Sequence, residues 1–189
     1  MHLSPKLFLG FLLLAFGLGA GFTAFTPTGL SVFPSAPENI PLNSTQLAFC
    51  PSPACVSLTL SALNQAHSRI DVAMYSFTHP QLAQALIDAH ARGVQVRVLV
   101  ESQQAAGTYS EHQTLLDAGI PVRLDSNPSY MHHKFAVIDD AFVLTGSMNW
   151  SRNGVGENNE NALLLHSSSL NAEFEKAFEH LWSHTTPPI

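Results

Sequence analysis

Between residues 70 and 124 the hydrophobic period switches back and forth between strand and helix, and that alternation restricts the folds open to this chain more than any other feature. Residues 70–77 (IDVAMYSF), 94–100 (VQVRVLV) and 121–124 have strand character, rich in β-branched and aromatic side chains. Between the first two, Leu82, Leu86, Ile87 and Ala91 recur at helical spacing. Thr78 is the expected cap of that helix, Pro80 lies in its first turn and Gly93 supplies its stop. Residues 111–118 form a shorter helix ended by Gly119. Strand, helix, strand, helix, strand requires parallel crossovers and a sheet covered by helices.

The pattern continues on both sides. Residues 46–49 are a short strand and 56–67 show mixed helical spacing through Leu58, Leu60, Leu63 and Ala66. Residues 130–138 and 141–145 are adjacent apolar strands joined through Asp139 and Asp140, which predicts a tight hairpin. A further strand at 161–166 precedes a final helix over 170–182 that turns Phe174, Phe178, Leu181 and Trp182 inward. The expected fold class is α/β: a mixed, mostly parallel sheet flanked by helices on both faces, one domain spanning 46–189. No internal repeat is visible. At 46% hydrophobic and 12% charged residues the chain has enough apolar surface to fold.

Ahead of that domain, residues 7–25 (LFLGFLLLAFGLGAGFTAF) carry no charge and follow Lys6, the layout of a secretory signal peptide or a retained membrane anchor. Residues 26–45, with Pro27, Pro34, Pro37 and Pro41, read as an extended tether. The expected location is therefore outside the cytoplasm, periplasmic or extracellular, with the chain membrane-anchored if the segment is retained. Cys50 and Cys55 are the only cysteines. In an exported protein their spacing favours a small disulfide loop, the alternative being half of a zinc site whose other ligands the sequence does not nominate.

Past residue 25 the chain has seven Lys and Arg against 14 Asp and Glu, a net charge of −7. So acidic a protein gains little general attraction to a polyanion, and any phosphate chemistry must come from a local site. The candidate is residues 132–149, HHKFAVIDDAFVLTGSMN. Alternation along a strand puts His132 and Lys134 on one face and His133 on the other. Asp139 follows at a distance of four intervening residues, then Gly146, Ser147 and Asn149. Lys134, Asn149 and the Ser147 hydroxyl are donors suited to the charge that develops on a reacting phosphodiester. An imidazole can attack phosphorus, while a second imidazole protonates the leaving oxygen and then activates water. Such chemistry requires no metal and no other cofactor.

The pattern His-x-Lys-x4-Asp-x6-Gly-Ser-x-Asn closely resembles the signature of the phospholipase D superfamily. The likeness extends over most of the chain from about Gln46, and is greatest to the single-motif branch of bacterial exported endonucleases and the mitochondrial cardiolipin-hydrolase or small-RNA nuclease group. The resemblance implies His132, Lys134, Asp139, Ser147 and Asn149 as catalytic residues. It also implies a Glu assisting the histidine, for which Glu160 in the run ENNEN is the choice and Glu157 its competitor. Because this chain carries one motif where larger members carry two, the resemblance implies a homodimer with the active site at its two-fold axis. Arg152 is a weaker candidate phosphate contact, and His133 is the alternative nucleophile.

Three functions follow. The leading one is a metal-independent phosphodiesterase that cleaves DNA or RNA as a non-specific endonuclease through a covalent phosphohistidine. The second is a phospholipid phosphodiesterase or transphosphatidylase at a membrane, acting on cardiolipin or phosphatidyl lipids. The third is a non-catalytic exported binding protein, which has no reason to hold Lys134, Ser147 and Asn149 at this spacing.

Overall fold

The computed structural model describes residues 45–185. The expected signal peptide or anchor, and the tether up to residue 44, lie outside the described residues. Seven strands and six helices follow in the order β1 (Thr45–Cys50), α1 (Pro53–Asn64), β2 (Arg69–Met74), α2 (Pro80–Ala91), β3 (Gln95–Val100), α3 (Ser102–Ala105), α4 (His112–Asp117), β4 (Val122–Leu124), β5 (Lys134–Ile138), β6 (Phe142–Gly146), α5 (Arg152–Gly156), β7 (Glu160–His166) and α6 (Ser168–Ser183). Among the described residues no helix is long and apolar enough to cross a membrane.

One sheet takes all seven strands in the order β1-β7-β6-β5-β2-β3-β4. The alternating segment forms its parallel part, β2 beside β3 beside β4. The other four neighbouring pairs are antiparallel. Following the directions across the sheet, five strands point one way and β5 and β7 the other. The sheet is thus mixed, with most strands codirectional but most pairings antiparallel.

Strand alternation divides the core into two layers. Ile70, Val72 and Met74 of β2 and Ala136 and Ile138 of β5 face the layer that holds Leu63, Leu82 and Leu86 from α1 and α2. The odd partners, Ala73, Phe135 and Val137, face α6 through Phe178. Burying such side chains contributes about 1.5–3 kcal/mol each, so both faces of the central strands are anchored. Helices therefore cover both faces.

Several local details differ from the sequence-based expectations. His79, not Thr78, stands at the N-cap of α2, because the Thr78 and His79 amides both donate to the Trp150 carbonyl, at 2.8 and 3.0 Å. The expected strand over 130–138 begins only at Lys134, since β2, its partner, ends at Met74; one further rung, the Tyr75 amide donating to the His133 carbonyl at 2.8 Å, continues the ladder. The helices α3 and α5 are too short to leave a period in the sequence. Cys50 and Cys55 are joined by a disulfide that ties the end of β1 to α1.

Candidate active site

The end of the sheet where β2 stops and β5 starts gathers most of the motif. Lys134 opens β5 opposite Met74. Its side chain is on the α1/α2 face, as are Ala136 and Ile138. The Lys134 Nζ lies 3.0 Å from His132 Nδ1 and donates to the His132 carbonyl at 2.9 Å. The ring of Tyr75, one residue past β2, supports both groups: its centroid is 4.4 Å from that of the His132 imidazole and 4.8 Å from the ammonium. The Tyr75 hydroxyl accepts from Gln104 Nε2 at 3.3 Å, which fixes the ring from α3. His132 itself is exposed, as a residue that meets substrate must be.

The next two strands bring the remaining donors to the same end. Gly146 closes β6 at φ +140° and pairs with Ala162 of β7. A Cβ at position 146 would collide with the Asn161 carbonyl, so the close approach of β6 to β7 demands glycine. Ser147 and Asn161 then clamp each other. The Ser147 amide donates to Asn161 Oδ1 at 3.4 Å, and Ser147 Oγ accepts from the Asn161 amide at 3.1 Å. Since Oγ acts there as an acceptor, its own proton remains free to donate outward.

Asn149 follows between two buried neighbours, Met148 and Trp150. Gly154 of α5 packs so tightly on the Asn149 carbonyl that any Cβ at 154 would strike it. The Asn149 Oδ1 is buried without a hydrogen-bond partner among the described residues, and the Nδ2 of the same amide is the group able to donate to an anion.

Glu160 opens β7 on the face of Ala162 and Leu164, which is also the face of Lys134. Burial pushes the Lys134 ammonium below the usual lysine range, and the Glu160 carboxylate opposes that shift. Asn158 Nδ2 donates to Glu160 Oε1 at 3.2 Å. Glu157 instead caps α5 and is exposed.

Two motif residues lie elsewhere. His133 turns to the opposite face, edge-on to Phe135 at 5.4 Å. Burial, then the Lys134 charge, hold it below the usual histidine range. Asp139 stands at the far end of β5, roughly 16 Å along the strand from Lys134, in the left-handed region at φ +50°. Its carboxylate accepts from the backbone amides of His67, Ser68 and Arg69 and from the Ser68 hydroxyl, at 2.8 to 3.2 Å. Desolvation pushes this carboxyl up, but those donors together outweigh it and the net position is below the usual carboxylate range. Asp139 therefore pins the α1–β2 loop to the β5–β6 hairpin and is not brought to the site.

Tyr75 and Asn161 were not singled out by sequence reading. Their only signals were an aromatic at the end of a strand and an Asn after a Glu, and both acquire meaning only from which strands are neighbours.

Comparison with known proteins adds independent findings. A family model described as "Cardiolipin synthase, PLD-like domain" matches residues 59–182. The mitochondrial cardiolipin hydrolase of Xenopus tropicalis is 35% identical over 156 residues, 82% of this chain and 71% of that protein. The corresponding Homo sapiens protein is 37% identical over 134 residues, 71% of this chain but 53% of its own length. Among solved structures, Nuc from Salmonella typhimurium, a phospholipase D family member, matches with a TM-score of 0.72 at 31% identity, over 77% of this chain and 97% of that one. The matched span includes every motif residue from His132 to Glu160.

Proposed function

The chain belongs to the phospholipase D-like family, whose members are phosphodiesterases, and we propose that it cleaves nucleic acid without a metal, through a phosphohistidine on His132, as a homodimer. The observation that carries this reading is the Lys134 ammonium held 3.0 Å from His132 Nδ1 on the Tyr75 ring.

With Lys134 donating to Nδ1, the neutral imidazole keeps its proton on Nε2. A bound phosphate draws the ammonium onto its own oxygens. Nδ1 is then released, and at this exposed imidazole the Nε2 proton is lost to water while Nδ1 takes one up from water, so that Nδ1–H can donate toward the Glu160 carboxylate on the same face and the Nε2 lone pair is freed. Attack forms the N–P bond as the P–O bond breaks. Lys134, Asn149 and the outward Ser147 proton receive the charge on the non-bridging oxygens. The leaving oxygen takes a proton from the partner's His132, which then removes one from water so that hydroxide can release the enzyme from phosphate. One chain supplies one such His–Lys pair among the described residues, and the second imidazole on a two-fold axis is what makes the dimer part of the proposal. The uncharged segment at 7–25 supports export, with periplasmic or extracellular action.

A second reading, hydrolysis of a phospholipid diester, is favoured by the names of the relatives in Xenopus and human. Incubation in excess EDTA with single-stranded DNA, duplex DNA, RNA and cardiolipin vesicles separates the two. Nucleic acid cleaved at the higher rate is expected. Cleavage of cardiolipin alone would select the second reading, and inactivity that only a divalent ion restores would refute the metal-free mechanism.

A further inference from the structure

A groove of about 800 Å³ is lined by Ser76, Thr78, Ser110 and Ser151 together with Arg152 and Tyr109. Its volume is in the range of small-ligand sites. Its lining adjoins the site along the chain: Ser76 follows Tyr75, whose ring packs on His132, Ser151 is two residues from Asn149, and Phe77 and Trp150 form an isolated parallel β-bridge between the two segments.

The distribution of basic side chains gives this groove its significance. Arg69 and Arg97 are paired with carboxylates beneath α6, and Lys176 with Glu173. Arg92 donates to the carbonyls of Leu63 and Asn64, and Arg123 to that of Trp182. Lys134 is at the reacting centre. Arg152 is thus the one Lys or Arg among the described residues that makes no hydrogen bond or ion pair with another described residue, and it stands in the groove. Glu111 also lines the groove and offsets the Arg152 charge, so a phosphate there would be held by the directed hydrogen bonds of the guanidinium and not by a net positive field.

Two exposed tyrosines flank this surface. Tyr109, on the groove wall, is 83% exposed, and Tyr130, 56% exposed, meets the Tyr75 ring edge-on at 5.9 Å on the His132 side. A protein that leaves aromatic faces in water beside a phosphate site provides stacking platforms for unpaired bases. A duplex keeps its base faces occupied, and a lipid has none to offer.

Resting on the phosphodiesterase reading above, we propose that the groove is a neighbouring-nucleotide subsite, in which Arg152 and the hydroxyls take the phosphate next to the scissile one and Tyr109 stacks its base, so that the preferred substrate is single-stranded nucleic acid.

Thymidine trinucleotides test it. In each, one linkage is an ordinary diester and the other a neutral, uncleavable methylphosphonate, placed on either side in turn. For the wild-type chain, neutralising the neighbour on one side is expected to lower kcat/KM about tenfold, the worth of one charge-assisted hydrogen bond to a solvated phosphate. In Arg152→Gln the same change should cost less than twofold, and Arg152→Lys should recover most of the sensitivity. Tyr109→Ala should reduce the preference for single over double strands. Bis(p-nitrophenyl) phosphate, which has no neighbouring phosphate, reports diester hydrolysis without the subsite. If the wild-type chain hydrolyses neither it nor any trinucleotide, the phosphodiesterase reading fails. If diesters are hydrolysed but methylphosphonates have no effect, or the same effect in Arg152→Gln, the subsite alone is overturned. It is equally overturned if Arg152→Gln depresses turnover of cardiolipin vesicles and not of the trinucleotide.

Discussion

Replacing Asp139 tests whether that carboxylate holds the fold or acts on substrate. In Asp139→Ala, three backbone amides and the Ser68 hydroxyl lose their common acceptor. At about 0.5–1.5 kcal/mol per bond, with water replacing part of the loss at the exposed His67 and Ser68, this amounts to about 2–3 kcal/mol. Alanine in the left-handed region adds about 1 kcal/mol. Asp139→Asn keeps one acceptor oxygen and tolerates φ +50°, so its cost should be roughly half. Urea unfolding should show a midpoint lower by about 1–2 M for Ala, with Asn between it and wild type and the slope unchanged. Below the melting range, kcat/KM on bis(p-nitrophenyl) phosphate should stay within threefold. The pH dependence has a definite sign. A carboxyl held below its usual range stabilises the fold above the ordinary carboxylate pKa and loses that contribution as pH falls through the depressed value. Asp139→Asn should therefore flatten the acid limb of stability below about pH 4. An unchanged midpoint with a hundredfold loss of turnover would refute this reasoning and return Asp139 to the chemistry.

His132→Ala should abolish turnover with the melting temperature preserved, while His133→Ala, on the other face, should keep most activity; the reverse pattern would show the strand parity to be misread. In a mixed dimer of wild-type and His132→Ala chains, turnover of ordinary diesters should fall far below half, because one site would hold a single imidazole. A rate near half, or a fully active monomer by sedimentation, would refute the shared site. Glu160→Gln removes the carboxylate that keeps the Lys134 ammonium from falling further, so the alkaline limb of kcat/KM should move to lower pH; a limb that stays in place would separate Glu160 from Lys134.

Strand parity along residues 132–138 was legible in the sequence because it is local: a period of two places His132 with Lys134 whatever lies beside them. Gly146 and Ser147 were legible as motif members, yet the reason for glycine, the Asn161 carbonyl against position 146, depends on β6 lying beside β7. The role of Asp139 was not legible, since its partners, His67, Ser68 and Arg69, are about seventy residues upstream, where the α1–β2 loop enters β2. Tyr75 escaped for the same reason. It ends one strand and supports residues that begin another, and the sequence states no strand order. The parallel crossovers were readable because the helices between β2, β3 and β4 dictate them. The β5–β6 hairpin was readable from the short Asp139–Asp140 connection, whereas the places of β5 beside β2 and of β1 beside β7 join segments far apart in the chain and leave no local signal.

The first described strand is an edge, and its sole neighbour in the sheet is the last one, β7, with Thr45 opposite Leu165 and Cys50 opposite Glu160. In a chain made from its N-terminus, β1 has no strand to pair with until residues 160–166 exist. A chain halted near residue 150 would already contain His132, Lys134, Ser147 and Asn149 while lacking their carboxylate and the strand that clamps Ser147. The reactive centre therefore gains its carboxylate and its Ser147 clamp only when β7, the last strand of the domain, takes its place beside β6.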